Sequence, residues 1–202
     1  MKRLFDVICS LLLLIFLSPL LGIIALIVLI DDGKPVIFCQ NRVGKDERIF
    51  KIYKFRTMKK GTRNAATHDL VESESVLTHS GKALRRLSLD ELPQLVNILK
   101  GDMSFVGPRP LIPEETEIRE LRRARNVYSV RPGVTGWSQV NGRDLVDNET
   151  KARMDQEYVQ RQSLLFDFKI LLKTVLVVLK RDGIAEGGEQ AAPSEDGTSG
   201  QK

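Results

Sequence analysis

Residues Leu4 to Ile30, LFDVICSLLLLIFLSPLLGIIALIVLI, form an almost unbroken apolar run with a single acid, Asp6, near its start. As one straight helix this run would reach about 40 Å, enough to cross a hydrocarbon core of about 30 Å. A cleaved leader is the competing reading, and the preceding Met1, Lys2 and Arg3 would suit one. The run is too long for the apolar core of a leader, however, and LIDDGKPV (29–36) offers no small-x-small cleavage site. The segment is therefore expected to stay in the membrane.

Ser18-Pro19 falls at its middle. Proline removes a backbone donor and disfavours a helical residue before it. A kinked spanning helix is one solution that membrane proteins tolerate. The charges point to another: Lys2 and Arg3 precede the run, and Lys34, Arg42, Lys45, Arg48, Lys51 and Lys54 follow it. Lysine and arginine mark the cytoplasmic side, and here both flanks carry them. Broken at Ser18 and Pro19, each arm has about 13 residues and reaches roughly 20 Å, about halfway into the bilayer and back. The expectation is a re-entrant helix–break–helix over residues 1–33 with both ends cytoplasmic, and Asp6 at the interface beside a headgroup-level cation.

The remainder, at 202 residues in all, is long enough for one domain with a buried core. A net charge of +5 favours an anionic partner: nucleic acid, phospholipid or a phosphorylated small molecule. Two cysteines, Cys9 and Cys39, exclude a disulfide framework and read as buried, inert thiols. His68 and His79 lack partners at metal-ligand spacing, so no cysteine/histidine metal site is expected.

The pattern predicts an α+β domain, mainly helical, over residues 34–182, followed by a tail, 183–202, that is disordered by composition. Residues 35–40 and 48–55 read as a strand hairpin turned at NRVGKDE, with Gly44 suited to the turn. The polar stretch 58–77 reads as a loop of lid-like length. A short helix, SGKALRRL, points Leu84 and Leu87 inward. Leu92, Leu95, Val96 and Leu99 give one helical face, stopped at Gly101. VGPRPLIP holds Arg109 between two prolines. A charged helix (EETEIRELRRARNVY), a glycine-rich loop (VRPGVTGWSQVNGRD) and helices over 149–162 and 164–181 complete the chain. In the last of these Lys169, Lys173 and Lys180 share a stripe, which suits either a core helix with a solvated face or one lying in the headgroup plane.

Two adjacent acids, Asp90 and Glu91, stand at the head of the 89–99 helix. Ser88 and Glu91 match a capping box. From that start, though, Pro93 falls beyond the donor-free first turn; starting at Asp90 brings it inside and leaves Asp90 at the cap. The alternative to capping is chemistry. Arg85 and Arg86 precede the pair, Arg109 follows it, and Arg131 and Arg143 sit in the glycine-rich loop. Guanidinium forks match phosphate oxygens, and a carboxylate kept ionised beside them can attack phosphorus.

KIYKFRTM, LRRLSLDELPQLVNILKGDMSFVGPRP, VRPGVTGWSQVNGR and FDFKILLKTVLVVLKR, in this order, resemble the small monotopic polyprenyl-phosphate phosphoglycosyl transferases, bacterial sugar transferases that initiate glycan assembly on a lipid carrier. The likeness runs from about Lys2 to Arg181, leaving the 60–77 loop and the tail unmatched. It implies transfer of a sugar-1-phosphate from a nucleotide sugar, usually a UDP-sugar, to undecaprenyl phosphate, releasing UMP by a ping-pong route with Mg²⁺. It further implies Asp90 as nucleophile, Glu91 as its metal-site or acid–base partner, and Arg56, Arg85 and Arg109 as phosphate binders. Arg56 stands where close relatives carry lysine. Asn141 and Arg143 become nucleotide-binding candidates, and Trp137 either stacks on uracil or packs in the core. The family's re-entrant segment, broken at a Ser-Pro, matches Ser18 and Pro19. The implied setting is the cytoplasmic face of the membrane, with phospholipid as a partner and nucleic acid not. A membrane-tethered basic protein binding nucleic acid or acidic lipid would use the charge but leave the acidic pair unexplained. A one-step transfer would use the same residues without a covalent intermediate.

Overall fold

The structure, a computed structural model, describes residues 1–61, 76–142 and 146–180. The expectations for the 58–77 loop, apart from its two ends, and for the tail lie outside these residues.

The first element, α1 (Lys2–Asp32), stays helical through Pro19, without a non-helical break at Ser18-Pro19. Pro19 cannot donate to Ile15 O, its partner one turn back; the Ser18 hydroxyl donates there instead, at 2.8 Å. The serine thus satisfies the carbonyl that its proline neighbour leaves open. α1 is long and apolar enough to cross a membrane, and only 11 % of its most apolar window is buried, so it is no core helix.

Both ends of α1 are nevertheless fastened to the rest of the protein. Lys2 pairs with Asp167 and donates to Val106 O. Arg3 donates to Ile98 O (2.6 Å) and Leu99 O (3.0 Å), where a cation suits the carbonyls of a helix C-terminus. Asp6 is buried at 2 % exposure and accepts from Ser104 Oγ, which corrects the expectation of an interfacial acid: it is a structural acceptor inside the fold. At the far end, Asp31 accepts from Ser80, and Arg56 pairs with Asp32.

The hairpin β1 (Ile37–Val43) and β2 (Ile49–Phe55) is antiparallel, with Gln40 opposite Ile52. Its turn strains Asp46 and Glu47, which take positive φ, while Gly44 stays extended and donates to Arg48 O. Helix α2 (His79–Arg86) is capped by the Thr78 hydroxyl on Gly81 N. Leu84 points inward as expected; Leu87, just past the helix, is 59 % exposed, against expectation.

The expected 89–99 helix is split. Leu89–Glu91 is a 3₁₀ turn, and α3 (Gln94–Lys100) starts only after Pro93. Lacking an N–H, Pro93 cannot close an α-helical turn begun upstream, so tighter i→i+3 bonds carry the chain to it. Ser88 is left-handed (φ 54°) and makes no side-chain cap, so neither the capping box nor a cap at Asp90 forms.

β3 (Ser104–Val106) and β4 (Gly133–Thr135) pair in parallel. Their backbones meet so closely that a Cβ on Gly133 would lie 2.1 Å from Gly107 N, which only glycine permits. Helix α4 (Thr116–Ala124), the short α5 (Trp137–Asn141), α6 (Asn148–Arg161) and α7 (Leu164–Lys180) follow. Three apolar clusters hold these together. Ile24, Val28, Phe55 and Leu84 join α1 to β2 and α2. Ile52, Leu95, Ile98 and Met103, with Leu14 and Leu17, join α1, β2 and α3. Val106, Val140, Tyr158, Phe166 and Ile170 join β3 to α5, α6 and α7. Along α7, Leu165, Phe168, Leu172, Val175 and Leu176 remain exposed, and the Phe168 ring packs edge-on against Phe5 of α1. Cys39 is exposed, contrary to expectation, because it lies on the outer face of the hairpin.

Candidate active site

The period-two geometry of the hairpin puts Arg42, Ile52 and Lys54 on one face. Ile52 packs on Leu95 and Ile98 of α3, and buried Asn97 stitches the same helix to β2 by accepting from Tyr53 N and donating to Lys51 O. This apposition brings Lys54 Nζ to 2.6 Å from Glu91 Oε1. The glycine contact between β3 and β4 supplies the other wall, so Arg42, Lys54, Glu91, Gln94, Arg109, Pro110, Gly133 and Val134 line one shallow open cleft.

The two acids differ in environment. Asp90 is buried, and its pKa is pushed up to about 6. Burial is the main cause; the Lys54 and Arg85 charges oppose it, and Glu91 adds to it. Arginines alone therefore do not keep it ionised as the sequence suggested: desolvation outweighs them, although above pH 6 it is still an anion. Glu91 goes the other way. Burial would raise it, but Lys54, Arg109 and a hydrogen bond from Gln94 together hold it below its usual range. Neighbouring carboxylates driven apart in this manner are suited to different roles.

Arg85 Nε donates to Thr57 Oγ1 (2.9 Å); both acids act on its charge, and that charge in turn lowers the Asp90 pKa. Arg109 is held from behind: its carbonyl accepts from Arg122 Nη1 at 2.7 Å. Arg122 is itself buried and paired with Asp155 (2.6 Å), whose other oxygen accepts from Ser138. Prolines on either side and a buried ion pair beneath thus fix the position of this guanidinium-bearing turn.

Other expected site residues go elsewhere. Arg56 is buried with its donors on Asp32 O, Gly33 O and Pro35 O, so it anchors the end of α1 rather than offering a free fork to phosphate. Asn141 donates to Trp137 O and accepts from Lys173 of α7, a helix-to-helix contact outside the cleft. Trp137 packs on Phe166 and donates to Glu157, which makes it a core aromatic. Arg143 lies outside the described residues. Arg42 and Lys54, read from sequence only as flanking charges, are brought into the cleft instead. Strand parity with Ile52 was the signal that marks Lys54.

Among the described residues no three His, Cys, Asp or Glu side chains converge. Asp90 and Glu91 therefore do not make a closed metal cage. They do fit Mg²⁺, which keeps waters and binds through one or two carboxylates together with substrate phosphates.

The sequence profile of the family described as bacterial sugar transferase matches residues 1–181. The chain is 41 % identical over 186 residues to the uncharacterized sugar transferase EpsL of Bacillus subtilis, covering 92 % of this chain and 91 % of that one. It is 40 % identical over 192 residues to the exopolysaccharide production protein ExoY of Sinorhizobium fredii, covering 88 % and 84 %. It is 39 % identical over 182 residues to the UDP-glucose:undecaprenyl-phosphate glucose-1-phosphate transferase of Escherichia coli, covering 87 % of this chain but only 39 % of that protein. It likewise spans well under half of the Salmonella typhimurium undecaprenyl-phosphate galactose phosphotransferase. A profile match over nearly the whole described fold, together with these full-length and partial relatives, identifies the chain as a member of the bacterial sugar transferase family.

Proposed function

We propose that the protein transfers a sugar-1-phosphate from a UDP-sugar to undecaprenyl phosphate through a covalent phosphosugar–aspartate. The observation that carries this is the Asp90–Glu91 pair. One buried carboxylate is anionic at neutral pH, and its neighbour is tied to Lys54 in a cleft that also holds Arg109. The activities by which the Salmonella typhimurium and Escherichia coli relatives are named agree with this class of reaction. Membership in a transferase family also leaves the tethered binding protein without support.

In the first step an Asp90 oxygen attacks the β-phosphorus of the nucleotide sugar. A P–O bond forms, the bond from that phosphorus to the bridging oxygen breaks, and UMP departs with the electron pair. In the second step an oxygen of undecaprenyl phosphate attacks the same phosphorus and displaces Asp90 as a free carboxylate. Arg85, Lys54 and Arg109 offset the repulsion between anions that both steps require. Mg²⁺, held by Asp90 and Glu91, would supply further neutralisation at the diphosphate. A desolvated carboxylate is the stronger nucleophile, which is a use for the burial that raises its pKa.

The membrane reading is re-entrant insertion of α1 from the cytoplasmic face. Its support is that Lys2 and Arg3 at one end, and Asp31 and Asp32 at the other, bind the same domain. A helix crossing the bilayer would carry one end to the opposite side. The exposed apolar stripe of α7 beside Phe5 suits contact with phospholipid at the same surface.

Incubation with UDP-sugar carrying ³²P at the β-phosphate, without lipid, tests the chemistry. Label on the protein, stoichiometric UMP release and loss of both in Asp90→Asn are expected. No label and no UMP from the intact protein would overturn it.

A further inference from the structure

A transfer that begins with a diphosphate must handle two phosphorus centres, and the acidic pair with Arg85 attends to one. The cleft also holds two guanidiniums, those of Arg42 and Arg109. Arg42 reaches it from β1, donating through Nη1 to Pro110 O (3.0 Å) and through Nη2 to Gln40 Oε1 (2.7 Å). Those bonds hold it beside Arg109, which stands in the same turn as Pro110. The Nε of Arg42 is buried and has no acceptor.

The electrostatics repeat the geometry. The Arg42 pKa falls to about 10, first through burial and next through the Arg109 charge. Glu115, Glu91 and Glu114 offset part of this. Glu115 is already engaged with Ile112 N. Two like charges are thus held in a partly desolvated cleft that Glu91 and Lys54 also line. An anion with several oxygens relieves such a pair, and guanidinium forks match a phosphate better than any carboxylate in the cleft can.

We propose that Arg42 and Arg109 form a phosphate-monoester subsite in this cleft, separate from the attacking Asp90, taking the phosphate of the nucleoside monophosphate that leaves. This rests on the transfer reading above. The same chemistry would accept the phosphate of the lipid carrier, and the test separates the two.

UMP binding is measured by calorimetry in Asp90→Asn protein in nanodiscs, and compared with the same protein carrying Arg42→Gln or Arg42→Lys. Because no turnover is involved, the result stands whether or not a covalent intermediate exists. Failure of the labelling experiment with UMP binding intact would remove the ping-pong reading and leave the subsite. In otherwise intact enzyme, KM for the UDP-sugar and for a short-chain polyprenyl phosphate are measured alongside. The expected result is a loss of UMP affinity of about tenfold or more in Arg42→Gln, a smaller loss in Arg42→Lys, and a matching rise in KM for the UDP-sugar alone. A rise in KM for the polyprenyl phosphate with UMP binding unchanged would keep the subsite and assign it to the lipid. If neither ligand is affected in protein whose melting temperature is unchanged, the subsite is refuted. If Arg42→Gln does not fold, the Arg42→Lys comparison decides on the same terms.

Discussion

Replacing Asp90 by asparagine keeps the shape of the side chain and deletes its ionisation. In the folded protein the carboxyl holds its proton to about pH 6, whereas its ordinary value is 3.8. Between those values the native state binds the proton more tightly than the unfolded chain, so stability falls as pH rises through this window. At about 1.36 kcal/mol per pKa unit, a difference of roughly two units amounts to about 3 kcal/mol of destabilisation, reached in full above pH 7. Asp90→Asn removes that burden. In a protein of this size it should raise the melting temperature by about 6–12 °C at pH 8. The gain should shrink to about half at pH 5, where the native carboxyl is still mostly protonated. The assay is thermal unfolding of both proteins in nanodiscs, with chelator and without nucleotide, from pH 5 to pH 8. An asparagine variant no more stable than the parent at pH 8, or a difference that does not change with pH, would refute the claim that burial governs this carboxylate.

Arg122→Met should destabilise by about 3–5 kcal/mol, because Asp155 is left charged and buried, whereas the paired change Arg122→Met with Asp155→Leu should recover much of the loss in melting temperature. If Arg122 also positions the Arg109 turn, the doubly changed protein should regain stability yet keep a raised KM for the UDP-sugar. Lys54→Gln should raise the pKa of both Asp90 and Glu91, since Lys54 is the largest influence lowering each, and the pH–rate profile should lose activity on its acid side at higher pH than the parent's. Ser18→Ala should lower the melting temperature in nanodiscs by an amount equivalent to about 1 kcal/mol, and should do nothing in a Pro19→Ala background, where the restored N–H serves Ile15 O. Single cysteines placed at Lys2 and Lys34 of a cysteine-free chain should both react with impermeant reagents only from the cytoplasmic side; labelling of the first from outside would mean that α1 spans.

Much of this was legible in the residues because it depends on local pattern. The hairpin, α2, α4, α6 and α7 follow periodicity and caps, and the acidic pair and the Pro-Arg-Pro turn stand out by composition. What was not legible depends on partners distant in the chain. Asp6 reads as a membrane-mouth acid until Ser104 is seen against it, 98 residues away. Arg56 and Lys54 are two residues apart with similar chemistry, and only the packing of Ile52 on α3 tells which of them meets Glu91 and which ties down Asp32. The β3–β4 pair is too short for periodicity to reveal, and its cause, two glycine backbones in contact, is itself tertiary. The 3₁₀ turn at the acidic pair is intermediate: Pro93 marks a difficulty at the helix start, but a start at Ser88 and a start at Asp90 both keep an α-helix, and the chain adopts neither.

The fastening of α1 has a consequence for how the chain comes to be made. Lys2 meets Asp167, and Tyr158 joins them through the other oxygen of that carboxylate. A polypeptide leaving the ribosome presents its second residue long before its hundred-and-sixty-seventh. The apolar segment therefore emerges with its clasp unmade, and waits on α7. Arg3 meanwhile terminates α3, the helix that abuts the acidic turn. Insertion and catalytic competence should then arrive as one late event. A version trimmed of its first 33 residues to gain solubility would lose the cap on α3 and the lid on Asp167 together, and would yield a weakened domain instead of a soluble enzyme.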